Sequence, residues 1–217
     1  MEIIKTQNGF LTILTGKTDM GKSTITVYEC SEMLKRGEQV MFFSYEYCQS
    51  IIYNKMISHF GLKWQELFNL NIVDASGLSL GNIIEMIKLK GKHLDAVYVD
   101  YLDLLKIATY PETENTDMLE MERIQEIVRE LAKLADELKI KIVLLSQTGS
   151  EKTIEETVEQ LNKFAEKTNG NVVRMFIAKG NVIDTKISFD DISHIILVDG
   201  YDLKHFSTIN FKEIYKD

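Results

Sequence analysis

"TGKTDMGKST", residues 15–24, contains two Gly-Lys pairs, and only the second fits a phosphate-binding pattern. The pattern G-x-x-x-x-G-K-[ST] is met by Gly16, Gly21, Lys22 and Ser23. The first pair fails because its leading glycine would have to stand at position 11, which is Leu11. A strand-like apolar segment, Phe10–Thr15, precedes the motif, and a segment with helical periodicity, Ser23–Arg36, follows it. This order predicts a P-loop, in which backbone N–H groups hold the phosphates of a nucleotide.

A run of consecutive residues is predicted to form the nucleotide-binding loop. They are Gly16, Lys17, Thr18, Asp19, Met20, Gly21, Lys22, Ser23 and Thr24. We expect Lys22 to neutralise the β- and γ-phosphates and the Ser23 hydroxyl to bind Mg²⁺. Asp19 is compatible with an anion site if its side chain points to solvent while its backbone N–H faces the phosphate. Alternatively, Asp19 tunes nucleotide access or contacts a neighbouring subunit.

Three further polar residues follow apolar, strand-like segments and are candidates for the chemistry. Asp100 ends "AVYVD" and is predicted to bind Mg²⁺ through water, with a turn aspartate as the alternative. Glu46 follows "QVMFFS" and is the candidate general base for the attacking water, provided that this strand neighbours the P-loop strand. A solvated loop glutamate is the alternative. Gln147 follows the strand-like segment 140–146 and is a candidate γ-phosphate contact, with a capping or turn amide as the alternative.

Composition and periodicity predict a single α/β domain over residues 1–217. Apolar residues make up 45% and charged residues 27% of the chain, as in ordinary globular proteins. Strand-like and amphipathic helical segments alternate up to Gln147, which favours a mainly parallel central sheet flanked by helices. Beyond it, Val172–Ala178 and Val182–Phe189 flank the hairpin signal Gly180-Asn181, so antiparallel C-terminal strands are expected. Two more strand candidates are His194–Val198 and Thr208–Ile214.

The acidic charge balance limits the classes of partner. The net charge is −8, whereas proteins that bind nucleic acid over a broad face are usually basic. Any nucleic-acid site must therefore be small, local or built by several subunits. No apolar run approaches the roughly 20 residues that span a bilayer. Because Cys30 and Cys48 show no metal-ligand spacing, we expect reduced thiols in a cytoplasmic protein without membrane contact.

Four segments, in order, resemble the ATPase domain of DnaB-type replicative helicases, within the RecA-like group of P-loop ATPases. They are "GKTDMGKST", "VMFFSYE", "AVYVDYLDLL" and "ERIQEIVRELAKLADELKIKIVLLSQ". The family typically shows S-L-E-M where this chain has Ser44–Tyr47, and I-D-Y-L-Q-L where it has Val99–Leu104. It also shows a strand ending in S-Q, here Ser146-Gln147. A P-loop alone indicates only a nucleotide-binding protein, and these later segments make the resemblance specific.

The resemblance implies ATP and Mg²⁺ as cofactors and ATP hydrolysis between the subunits of a homo-oligomer, either a ring or a filament. It implies that Glu46 is the catalytic glutamate and that Gln147 senses the γ-phosphate. Implied partners are single-stranded DNA and other replication or recombination proteins. Since the P-loop begins near Gly16, we expect a core-only form without the primase-binding domain, of a reduced kind that a phage could encode.

The sequence departs from the family at the residue that a neighbouring subunit supplies. The family carries a late K-x-R strand, and in the corresponding "INFKEIYKD" Lys212 stands while Ile214 replaces the arginine. A trans arginine can contribute about 10³–10⁵ in rate. Vigorous hydrolysis therefore requires Arg174, Lys212 or Lys216 to substitute.

Candidates for contact with single-stranded DNA lie late in the chain. They are Arg174, Lys179 and Gly180. The loop after the "AVYVD" strand, residues 110–117, is acidic and unsuited to phosphate. A surface hairpin with a solvated lysine is the alternative at Lys179.

Four functions remain open on these residues. The first is an ATP-driven DNA helicase or translocase, and the second is a core-only recombination or helicase-loading factor that binds DNA without unwinding. The third is a small-molecule kinase similar to thymidine kinase, although the zinc-binding cysteines of that class are absent from this sequence. The fourth is a regulatory ATP-binding subunit.

Overall fold

The computed structural model describes residues 7–17, 21–105, 107, 117–148, 156, 159–160, 163, 172–179, 194–198 and 206–209. Its helices and strands, in chain order, are β1 (Leu11–Lys17), α1 (Lys22–Lys35), β2 (Val40–Ser44), α2 (Gln49–Phe60), β3 (Leu70–Asp74), α3 (Leu80–Lys90), β4 (Ala96–Asp100), α4 (Asp117–Leu138), β5 (Lys141–Thr148), β6 (Val172–Lys179), β7 (His194–Val198) and β8 (Phe206–Ile209). Within these ranges, no helix combines the length and the apolar character needed to cross a bilayer.

The strands form one sheet in the order β3-β2-β4-β5-β1-β6-β7-β8. The pairings from β3 to β7 are all parallel, and β7 pairs with β8 antiparallel. The prediction of a mainly parallel sheet flanked by helices is confirmed. The strand predicted as Val172–Ala178 differs from expectation, because β6 lies parallel to both β1 and β7 and is not one arm of a hairpin. The predicted second arm, Val182–Phe189, lies outside the described residues.

The reason for this difference is that a Gly-Asn pair reports only on local turn geometry. The β6 segment "VVRMFIAK" is largely apolar and carries buried residues such as Met175 and Ile177. Such a strand gains most by insertion beside β1, where both of its edges and much of its surface are covered. The turn signal therefore did not determine the partner of β6.

Apolar side chains cover both faces of the sheet. On one face, α1 and α2 pack on the strands with a buried cluster that includes Leu14, Ile25, Leu34, Phe42, Ile52, Met56, Tyr98, Val143 and Leu145. On the other face, α3 and α4 pack with a cluster that includes Ile13, Phe43, Ile83, Ile87, Val97, Val99, Ile124, Ile127, Leu131 and Leu144. Alternation along each strand assigns neighbouring residues to opposite faces.

Local signals in the sequence fix where the helices begin and end. Ser79 caps α3: its hydroxyl accepts the backbone N–H of Asn82, whose side chain accepts the backbone N–H of Ser79. Gly61 ends α2 in the left-handed conformation, with φ of 67°. These ends direct each helix back along the sheet, so successive strands run parallel.

Parallel pairing brings the carboxyl ends of several strands to one edge of the sheet. In the β2–β4 ladder Ser44 lies opposite Asp100, and in the β1–β5 ladder Gly16 lies opposite Gln147. The P-loop leaves the sheet at this same edge. Clefts at the carboxyl edge of open parallel sheets are the usual ligand sites of α/β proteins.

Candidate functional site

Each glycine of the P-loop motif has a separate geometric reason. A Cβ on Gly16 would lie 2.8 Å from the backbone oxygen of Ile177 in β6, which is too close for a real contact. Gly21 precedes α1 with φ of 88°, a left-handed conformation that side chains disfavour. One glycine therefore permits the close approach of β1 and β6, and the other permits the turn into α1.

Lys22 holds its ammonium group inside the loop. Its Nζ donates to the backbone oxygen of Gly16 and to that of Lys17, at 2.7 Å in both cases. The residue is only 7% exposed although it carries a charge. A buried cation held by loop carbonyls at the N-terminus of a helix is suited to an anionic ligand, because both the charge and the helix dipole attract phosphate.

Asp100 ends β4 within reach of the P-loop helix. It is 2% exposed, and burial raises the pKa of its carboxyl group to about 6. A hydrogen bond from the Ser23 hydroxyl lowers this pKa, Glu46 raises it, and the charge of Lys22 lowers it. A hydroxyl and a carboxylate in contact are the hard oxygen donors that Mg²⁺ prefers. The donor set therefore fits the predicted metal ion.

Glu46 lies at the same edge, but not by the route expected. The sequence-based argument required β2 to neighbour β1, and β4 and β5 separate these two strands. Glu46 instead approaches the site because β2 pairs with β4, and it is close enough to raise the pKa of Asp100. Its side chain is exposed, as a group that must reach an incoming water requires.

The two tyrosines beside Glu46 anchor its loop on opposite faces of the sheet. The Tyr45 hydroxyl donates to the backbone oxygen of Leu78 at 3.2 Å, and the ring packs against the cluster under α3 and α4. Tyr47 packs against the cluster under α1 and α2, and its backbone N–H donates to the Ser44 hydroxyl at 3.0 Å. These anchors hold the intervening Glu46 backbone at the carboxyl end of β2.

Gln147 lies within β5, directly beside the P-loop strand. Its Cα is the register partner of Gly16, and it alternates onto the same face of β5 as Val143 and Leu145. That is the face covered by α1, which the P-loop enters. The backbone geometry thus places the residue predicted as the γ-phosphate contact next to the loop that would hold the phosphates.

Two residues near the site were not identified from the sequence. Asp103 accepts the backbone N–H of Gln147 at 3.1 Å. Lys55 in α2 lies over the Tyr47 ring, 4.8 Å from its centroid, and its charge lowers the pKa of Asp100. The available signals were a carboxylate inside the apolar run "YLDLL" and a lysine among the inward residues of α2. Neither signal names its partner.

The remaining predicted residues are placed as follows. Thr24 is half-buried in the first turn of α1, and Lys17 ends β1. Arg174 lies in the middle of β6 opposite Ile13, and Lys179 ends β6 at the carboxyl edge. Four predicted residues lie outside the described part of the chain: Thr18, Asp19, Met20 and Gly180. The predicted roles of all these residues stay predictions.

Solved structures share this fold across most of the chain. The isolated ATPase domain of one DnaB-like helicase matches with a TM-score of 0.63 and 17% identity over 94% of this chain and 81% of that one. The RadB recombinase matches with a TM-score of 0.53 and 16% identity over 89% of this chain and 76% of that one. A DnaB-like replicative helicase, solved with regard to its interactions with primase, matches at 0.62 and 15% over 94% of this chain. This chain spans 55% of that helicase chain.

The fold and the P-loop edge together define a RecA-like P-loop ATPase fold, as predicted. Residues 62–160 match the family model of the DnaB-like helicase C terminal domain, a segment that contains Asp100 and Gln147. The resemblance to the DnaB-type helicase ATPase domain is therefore confirmed. No curated protein sequence matches the chain.

Proposed function

We propose that this chain hydrolyses ATP with Mg²⁺ and uses the energy to move on single-stranded DNA, as the core of a DnaB-type helicase. The observation that carries the proposal is the convergence of four groups at one sheet edge. Lys22 and Gln147 meet there through the β1–β5 register, and Asp100 and Glu46 through the β2–β4 register. These groups come from separate parts of the sequence, and the predicted chemistry needs all of them.

Each group has a distinct role in hydrolysis. Lys22 neutralises the phosphates, while Ser23 and Asp100 hold the Mg²⁺ ion, which supplies positive charge to the phosphoryl oxygens. Glu46 accepts the proton of the attacking water and keeps that water oriented. Gln147 contacts the γ-phosphate and registers its presence or loss. The result is ATP plus water giving ADP plus phosphate.

A second subunit completes the site in this proposal. Glu46 is exposed, so the γ-phosphate side of the site faces outward from the described residues and is open to a neighbouring protomer. A homo-oligomer, ring or filament, provides such a neighbour, with Arg174, Lys212 or Lys216 as its cation. Arg174, Lys179 and Gly180 are the proposed contacts with DNA in a cytoplasmic complex.

A recombination or helicase-loading factor that binds DNA without unwinding it is the second candidate. It is supported by the fold shared with the RadB recombinase and by Ile214, which stands in place of the family's finger arginine. A weaker trans contact suits a protein that uses ATP to assemble on DNA more than one that turns over rapidly.

A forked DNA substrate separates these functions. The protein is incubated with the fork, ATP and Mg²⁺, and its mass in solution is measured in parallel with a non-hydrolysable ATP analogue. The helicase proposal predicts an oligomer and release of one strand. An oligomer that binds single-stranded DNA and releases no strand supports the second candidate. A monomer that binds neither DNA nor nucleotide contradicts both.

A further inference from the structure

Asp103 links two parts of the protein that are 44 residues apart in sequence. It lies in the short 3₁₀ turn Leu102–Leu104 that follows β4, and its carboxylate accepts the backbone N–H of Gln147 at 3.1 Å. Burial raises the pKa of this carboxyl group, while the hydrogen bond from Gln147 and the charge of Arg123 lower it. A largely buried carboxylate is therefore committed to one backbone donor at the edge of the nucleotide site.

The bond replaces a missing part of the sheet ladder. The pairing of β4 with β5 ends at Val99 opposite Leu144, whereas the pairing of β5 with β1 continues through Gln147. On its β1 side the end of β5 is held by a ladder. On its β4 side the Gln147 N–H is held by the Asp103 side chain. Removal of that carboxylate takes away an acceptor that the ladder does not replace, and the end of the strand can then turn.

The other side of Asp103 faces the long helix α4. The Arg123 guanidinium donates to the backbone oxygen of Leu105, just after the 3₁₀ turn, and lies 3.7 Å from Glu120. The positive charge of Arg123 also acts on Asp103, because it lowers the pKa of that carboxyl group. The turn is thus fastened to α4 by arginine and to β5 by aspartate. Movement at Gln147 is mechanically connected to this turn.

We propose that Asp103 is a positioning residue that holds Gln147 in the orientation that distinguishes ATP from ADP. The inference rests on the proposed function, because it takes Gln147 as the γ-phosphate contact. Asp103 itself touches no phosphate in this scheme. It fixes the backbone from which the Gln147 amide projects, so its loss weakens contacts to the γ-phosphate and leaves contacts to the α- and β-phosphates unchanged.

The test compares Asp103→Ala, Asp103→Asn and Gln147→Ala with a matched control, Asp95→Ala. Asp95 also accepts a backbone N–H from a neighbouring segment, that of Gln39 at 2.8 Å, but it precedes β4 at the opposite edge of the sheet. For each variant, kcat and KM for ATP are measured, together with the affinities for ADP and for a non-hydrolysable ATP analogue with Mg²⁺. Thermal unfolding reports separately on stability.

Asp103→Ala is expected to lower kcat by about tenfold or more and the analogue-over-ADP preference by about fivefold, with ADP affinity unchanged. Asp103→Asn retains an oxygen acceptor and is expected to stay within about twofold of wild type. Asp95→Ala leaves kcat and the preference unchanged. In a Gln147→Ala background, Asp103→Ala adds no further loss, because both changes remove the same contact.

Three outcomes overturn the inference: an Asp103→Ala protein with wild-type preference, an equal loss of ADP and analogue binding, or a strong loss in Asp103→Asn. If Asp103→Ala does not fold, the Asp103→Asn result still decides. If the wild-type protein binds nucleotide without hydrolysing it, the proposed function fails, and the analogue-over-ADP preference alone decides on Asp103.

Discussion

Replacement of Asp100 by asparagine should stabilise the nucleotide-free protein while destroying its metal site. Asp100 is 2% exposed, and its pKa is raised from 3.8 to about 6, first of all by burial. Between these two values the folded protein retains a proton that the unfolded chain has already released. The stability contributed by this group is therefore greatest below its unfolded pKa and is lost as the pH rises towards the folded pKa.

The magnitude follows from the size of the shift. Each pKa unit corresponds to about 1.4 kcal/mol, so ionised Asp100 costs the fold about 3 kcal/mol at pH 7.5. At pH 5 the carboxyl group is mostly protonated in the folded state, and the same arithmetic leaves a cost of about 1.6 kcal/mol. Asparagine has nearly the same shape and never ionises. The Asp100→Asn protein should therefore gain about 3 kcal/mol at pH 7.5 and about half of that at pH 5.

The assay is urea unfolding followed by circular dichroism at both pH values, with a chelator present so that no divalent ion occupies the site. Asp74→Asn is the control, because Asp74 is exposed at the end of β3 and hydrogen bonds from Ser76 lower its pKa. No stabilisation is expected there. An Asp100→Asn protein that is no more stable than wild type, or that gains equally at both pH values, refutes the reasoning.

Three further substitutions test single parts of the site. Lys22→Ala should abolish ATP hydrolysis, because it removes the buried positive charge that the loop holds for the phosphates, and a phosphate-release assay checks this. Glu46→Gln should keep nucleotide binding while kcat falls about 10²–10⁴-fold, and normal turnover in that variant would show that another group is the base. Gly16→Ala should cost about 1–3 kcal/mol in thermal or urea unfolding, because its Cβ meets the Ile177 oxygen at 2.8 Å.

Local patterns predicted the elements that carry their own signals. The strand Ala96–Asp100 was predicted with its correct bounds, because a run of apolar residues ends in a single carboxylate. The P-loop was predicted because its glycines and lysine occupy fixed spacings, and the structure gives Gly16 and Gly21 separate steric reasons. Such features depend on residues that are close in sequence.

Features that depend on long-range pairing were not predictable. Nothing in the strand before Glu46 states that β4, and not β1, is its neighbour, since strands buried on both faces carry similar apolar runs. The parallel placement of β6 has the same origin. Asp103 was overlooked because its partner, Gln147, becomes adjacent only when β5 extends beyond the end of the β4 ladder.

The rate of ATP hydrolysis with and without single-stranded DNA tests the central claim most directly. Wild-type protein and Lys22→Ala are compared under identical conditions with Mg²⁺, and phosphate release is followed over time. The proposed function predicts Mg²⁺-dependent hydrolysis that single-stranded DNA accelerates and that Lys22→Ala reduces to background. Hydrolysis that ignores DNA, or transfer of the phosphate to a nucleoside, would contradict it.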